Sequence, residues 1–153
     1  MKNLSFIIML CMVAIGQHGL AQSKVYSNEN NIAINGYDLV AYFNRHEAVR
    51  GGEAFSYTSE GKKFYFATAE NRDAFKADPQ KYLPQFDGYC AFAVAMQNAK
   101  VPADPRTFKL RDGKLYLFFN DYYEGQPFNT IVPWNASETQ LLSKAEANWQ
   151  SLK

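Results

Sequence analysis

Beyond residue 21 the chain holds one cysteine, Cys90, one histidine, His46, and one methionine, Met96. These are the side chains on which a soft metal site would draw. One thiol and one imidazole fall short of the Cys/His set of a structural zinc site, and one cysteine cannot form an internal disulfide. Cys90 and Met96 also fail as a local pair. On a helix they stand about 240° apart; on a strand they share a face but lie about 20 Å apart. A nucleophilic thiol needs a helix start or a nearby cation, whereas Cys90 has Ala and Phe neighbours and reads first as a small buried hydrophobe. His46 lies on the charged loop Arg45–Gly52 and reads as solvated, with no motif to orient it toward Cys90 for Cys-His hydrolysis. Asp38, Asp87 and Asp112 each have a capping or turn role. Gly51-Gly52 lacks the strand before it and the helix after it that a phosphate loop requires. No catalytic constellation emerges, and the metal set is empty.

What remains is binding. Aromatic motifs that flank small residues nominate a pocket of Tyr37, Tyr42, Tyr89 and Cys90, with Asp38 beside them, for a small ligand or a metal ion. The first reading is a non-enzymatic binding module. Its alternatives are a thiol-redox or copper-handling protein using Cys90, and a protein–protein interaction domain whose partner is another exported protein.

Length and composition bound these readings. A chain of 153 residues is one domain's worth, long enough for a core without disulfides. Aromatics at 16% predict a core rich in rings. The start reads as an export signal: Met1-Lys2, an apolar run over Leu4–Ile15, then Gly19-Leu20-Ala21 with cleavage after Ala21. The run is too short to cross a bilayer, and Cys11 sits inside it without the small residues that precede a lipidated cysteine. A bacterial periplasmic or secreted location follows, with no membrane span after cleavage. Losing Lys2 leaves 15 basic against 15 acidic side chains. A neutral domain without a basic stripe argues against nucleic acid.

The elements that must position the candidates form an α+β domain over residues 32–153: small antiparallel hairpins, short helices and an amphipathic C-terminal helix. Phe55 and Tyr57 alternate with polar residues, as do Phe64 and Phe66, around a turn at Glu60-Gly61. Thr68 caps the next helix, with Glu70 in its first turn. Asp78-Pro79 starts another helical turn. Upstream, residues 22–31 read as a loose polar arm, Ile32–Ile34 as a short strand, Asn35-Gly36 as a turn and Tyr37–Phe43 as a helix with Asp38 near its cap. Pro84–Ala95 must be buried, as strand or as helix. Lys100–Pro105 is a loop. Asp112-Gly113 turns a second hairpin that pairs Leu110 with Leu115 and Phe108 with Leu117. Asn120–Pro133 is aromatic and irregular. Ser137 and Gln140 form a capping box for the last helix, which Trp149 anchors to the core.

The stretch YFATAENRDAFKADPQKY resembles the YHS domain, whose pattern runs Tyr/His, Phe, Cys, Ser, a second Cys, Phe and Asn-Pro-x-Lys-Tyr. Tyr65, Phe66, Thr68, Phe75, Asp78, Pro79, Lys81 and Tyr82 match or nearly match. Asp38-Leu39-Val40 is similar to the Asp-Pro-Val that opens the domain. GYDLVAYF, DGYCAFAVA, DGKLYLFF and AEANW extend the likeness to exported single-domain YHS proteins. The resemblance implies a metal-binding ancestry, with copper as a cofactor on that ground alone. The family's cysteine positions are occupied here by Ala41, Ala67 and Asn71, which are not soft ligands. The scaffold is expected without its metal site.

Overall fold

A computed structural model describes residues 24–153. The expected export signal, residues 1–21, lies outside them. Among the described residues no helix is long and apolar enough to cross a membrane. The fold is α+β, as expected: three separate antiparallel hairpins are packed with short helices and one long C-terminal helix.

The first hairpin joins β1 (Gly52–Ser59) and β2 (Lys62–Phe66). Glu60 and Gly61 both adopt positive φ, 48° and 76°, the pair a tight hairpin turn demands. Tyr57 stands opposite Phe64, as the alternation predicts. The register slips between Gly52 and Ser56, and Phe55 falls out of the aromatic row to lie 36% exposed. Gly51 passes under the partner strand: a Cβ there would lie 2.3 Å from the Tyr65 carbonyl carbon. Only glycine fits.

Helix α2 (Ala69–Ala77) starts where Thr68 accepts a hydrogen bond from Asn71 N at 3.1 Å. Asp78 and Pro79 then open α3 (Pro79–Tyr82). Phe75 of α2 meets Phe64 at 4.8 Å and Phe66 at 5.2 Å between ring centroids, with Tyr57 and Tyr82 beyond. This cluster is the centre of the first core and includes Leu39, Tyr42, Leu115 and Leu117.

The N-terminal arm is not loose from residue 24 onward. Val25 is buried in that core, Tyr26 N donates to Asp87 O, and Ile34 N donates back to Tyr26 O. Asn28 closes the intervening turn through its side chain. The expected strand at Ile32–Ile34 amounts to isolated bridges, Ser27 to Ala33 and Ile32 to Lys63. A single helical turn follows over Ile34–Gly36. The helix expected from Tyr37 begins only at Ala41 (α1, Ala41–Asn44), because the Asp38 side chain captures the amides of Val40 and Ala41 and sets the start there.

The Pro84–Ala95 run is helix only from Ala91; a kinked turn over Gln85–Gly88 and isolated bridges at Tyr89 and Cys90 precede it. Phe86 and Asp87 adopt positive φ, and at Gly88 an added Cβ would lie 2.3 Å from Ile34 Cδ1. Cys90 then leads into α4 (Ala91–Gln97). Small residues Ala91 and Ala95 let α4 pack against α6 (Glu138–Leu152), and Asn148 of α6 donates to the Val94 and Ala95 carbonyls.

The second hairpin, β3 (Asp104–Arg111) with β4 (Lys114–Phe118), has the expected Asp112-Gly113 turn and register. Leu115 and Leu117 face the first core. Tyr116 and Phe118 face a second core with Trp134, Phe86 and Trp149. Strand β4 is therefore the wall between the two.

Two further expectations fail. Residues 120–133 are not irregular: β5 (Asn120–Tyr123) and β6 (Gln126–Asn129) form a third hairpin, turned at Glu124-Gly125 with φ of 51° and 79°, and α5 (Ile131–Ala136) follows. The capping box at Ser137 is absent, since Ser137 makes no side-chain cap. Glu138 instead accepts from Trp134 Nε1 at 3.2 Å and pairs with Lys109 at 2.9 Å. Arg111 Nη1 lies 3.3 Å from its other oxygen, near enough for charge attraction without hydrogen-bond alignment.

Candidate functional site

Asp38 is fully buried and its carboxylate accepts four hydrogen bonds. Its Oδ1 accepts from Val40 N at 2.9 Å and Ala41 N at 3.1 Å. Its Oδ2 accepts from Ala67 N at 2.8 Å and from the Asn71 side-chain amide at 2.7 Å. Ala41, Ala67 and Asn71, widely separated in sequence, thus converge on one carboxylate. Hydrogen bonds to a charged acceptor are the strong kind, and these account for the capacity of both oxygens. Asn71 is held in turn by Asn44, whose Nδ2 donates to Asn71 Oδ1 at 3.1 Å.

Tyr37, next to Asp38, points a different way. It bridges Arg50 across an antiparallel pair, and the Arg50 guanidinium lies 4.8 Å above the Tyr37 ring. Such cross-strand neighbours are where an arginine can stack on an aromatic face. The pair lines a polar cleft of about 710 Å³ whose walls include Asn28, Asn35, Asp104, Arg106, Phe119, Asn120 and Asp121. Tyr37 is 8% exposed, and among the described residues its hydroxyl has no hydrogen-bond partner. It is not sealed in the core either, so it meets the cleft.

Asp104 is committed elsewhere. Arg106 grips both its oxygens at 3.0 and 3.2 Å, and Thr107 adds a third contact. Burial pushes the Asp104 carboxyl up, but the Arg106 hydrogen bonds and charge outweigh it and hold the group below the ordinary carboxylate range.

Tyr42 belongs to the core rather than to a cavity. It is fully buried, its hydroxyl donates to Pro105 O at 2.7 Å, and its ring meets Phe108 edge-on at 4.8 Å. Burial, with Tyr37, Asp104 and Asp38 nearby, raises its phenol far above the usual range. Tyr89 packs edge-on against Tyr26 at 5.5 Å with Lys100 over its ring. Burial, then Asp87 and Tyr26, push its phenol up.

Cys90 lines a second, apolar pocket of about 80 Å³ with Phe92, Val101, Tyr123, Phe128 and Thr130. Its sulfur is fully buried, 3.4 Å from Thr130 Oγ1. The five sequence candidates therefore do not line one cavity. Tyr37 faces the polar cleft, Cys90 the apolar pocket, and Asp38 and Tyr42 the interior. The two cavities meet at Phe119, which lines both. Of the soft ligands, Cys90 is buried while His46 and Met96 are exposed. Among the described residues no group of His, Cys, Asp and Glu is arranged to hold a metal ion.

Arg50 was invisible in the sequence, where it reads as one charge in a loop. The signal available was its position just before Gly51-Gly52, where a forced backbone approach fixes the arginine's direction. Comparison with protein-family models, curated proteins and solved structures finds no match to this chain.

Proposed function

We propose that this chain is an exported YHS-type domain acting as a non-enzymatic binding module, with a small polar ligand held in the Tyr37–Arg50 cleft. The observation that carries the reading is the Tyr37 hydroxyl, which among the described residues has no hydrogen-bond partner and opens to the cleft from an otherwise buried ring. A concave site with a few uncommitted polar groups is the usual form of a ligand site.

The YHS resemblance draws support from Asp38. The positions that the resemblance assigns to metal-binding cysteines, Ala41, Ala67 and Asn71, gather around its carboxylate. On this reading the cysteine ligands have been lost while the Asp38 carboxylate, a position the pattern keeps, ties the same segments together by hydrogen bonds. The thiol alternative has less to stand on, since the Cys90 sulfur is enclosed.

The test is a screen of water-soluble small molecules against the ¹⁵N-labelled chain, read by amide shifts, with a Cu(I) titration alongside. Perturbations gathered on Tyr37, Arg50, Asn35 and Asn120 are expected, with no stoichiometric copper. Perturbations centred on Cys90 alone, or tight copper binding lost in Cys90→Ser, would overturn the reading.

A further inference from the structure

We infer that the cleft recognises an anion, specifically a carboxylate on a small molecule, forked by the Arg50 guanidinium and hydrogen-bonded by the Tyr37 hydroxyl. This rests on the cleft being the ligand site. Four of the chain's five arginines pair with a carboxylate: Arg45 with Glu47, Arg72 with Asp73, Arg106 with Asp104, and Arg111 with Asp112. Arg50 does not. Among the described residues its one side-chain hydrogen bond is from Nη1 to the Asn35 carbonyl at 3.3 Å, leaving most of the guanidinium donors uncommitted.

The acids of the cleft do not neutralise it. Asp104 is gripped by Arg106 and Thr107. Asp121 accepts from the Tyr122 amide, and its charge acts on Arg106. Asp104 is thus tied to Arg106, and Asp121 lies near enough to act on the same guanidinium, as Tyr37 does. Arg50 and the Tyr37 hydroxyl both offer donors to the cleft, and the guanidinium, unlike the phenol oxygen, cannot accept. A planar guanidinium presents paired N–H groups that match the two oxygens of a carboxylate.

The arginine is also held in readiness. The Tyr37 ring lies beneath it, and the backbone that follows it is fixed by Gly51 N donating to Gly36 O at 2.9 Å under the Tyr65 backbone. A side chain already ordered loses less freedom when it binds. The amides of Asn28 and Asn35 border the same region and can read the rest of the ligand.

The experiment titrates the ¹⁵N-labelled full chain with succinate, dimethyl succinate, inorganic phosphate and glucose. It follows the Arg50 side-chain Nε–H signal and the Tyr37 and Asn35 amides. Succinate is expected to shift all three while its uncharged ester does not. Arg50→Gln, at an exposed site, should weaken succinate binding about tenfold or more, and Tyr37→Phe by a smaller factor. Equal binding of the ester, or unchanged succinate affinity in Arg50→Gln, would overturn the inference. Phosphate alone shifting the cleft signals would overturn the carboxylate assignment. Glucose alone shifting them would leave a ligand cleft but refute the anion. Silence from all four titrants also refutes the anion inference, and the broader screen then decides whether the cleft is a site at all.

Discussion

Replacing Asp38 by Asn is the most incisive perturbation of the interior. The change preserves shape and volume but converts one acceptor oxygen into a donor. Whichever way the amide turns, it faces a pair of N–H groups: Val40 and Ala41 on one side, or Ala67 and the Asn71 amide on the other. Each bond to the carboxylate is worth about 1.5–3 kcal/mol as a charged hydrogen bond, and a donor left unpaired in the core costs about 1–3 kcal/mol. The terms share one group and do not add fully. A loss of about 2–4 kcal/mol is expected, lowering Tm by about 3–5 °C for each kcal/mol. Urea unfolding of wild type, Asp38→Asn, Asn71→Asp and the double variant forms a cycle. In the double variant the amide at position 38 can donate to a carboxylate at position 71, and about 1–2 kcal/mol should return. A single-variant loss below about 0.5 kcal/mol, or a double variant no better than the sum of its parts, would refute the hub.

Other consequences are as direct. Burial pushes the Glu138 carboxyl up, but hydrogen bonds from Lys109 and Trp134 and the charges of Lys109 and Arg111 hold it below the ordinary range. A carboxyl depressed in the folded state contributes stability above its unfolded pKa and loses it as pH falls through the folded value. Urea midpoints should therefore fall on acidification below about pH 4.5, and Glu138→Gln should flatten part of that slope; an unchanged slope would count against the cluster. Gly51→Ala should cost about 1–3 kcal/mol or more by overpacking, because its Cβ would strike the Tyr65 backbone. Gly52→Ala, with nothing within 4 Å, is the control and should stay near wild type. The Cys90 thiol, fully buried, should react slowly with a disulfide reagent until denaturant is added. Rapid reaction in the folded protein would reopen the thiol reading.

Local chemistry carried the hairpins a long way. Glu60-Gly61 and Asp112-Gly113 marked two of them because both turn residues must take positive φ, and alternation then set which residues pair. Glu124-Gly125 has the same turn composition and conformation, yet Tyr122-Tyr123 and Gln126-Pro127 around it are exposed and lack a polar–apolar alternation. The third hairpin was therefore unreadable. The α4 run was readable as buried but not as helix, since too few residues precede Asn98 for a period to emerge. At the polar cleft, Tyr37 was nominated and Arg50 was not. Nothing local says that a loop arginine thirteen residues on will bridge back to it.

The amino-acid sequence by itself determined the α+β class, two of the turns, the Thr68 and Asp78 caps and the aromatic character of the core, because each follows from backbone preferences and burial within a few residues. Tertiary structure alone decided that Ala41, Ala67 and Asn71 meet at Asp38, that Cys90 is enclosed, and that Tyr37 lies beneath an arginine with no carboxylate of its own. Those are contacts between residues far apart along the chain. They exist only because the β1–β2 hairpin, the Asp38 loop and the β3–β5 segment close on one another, and no local propensity encodes that closure.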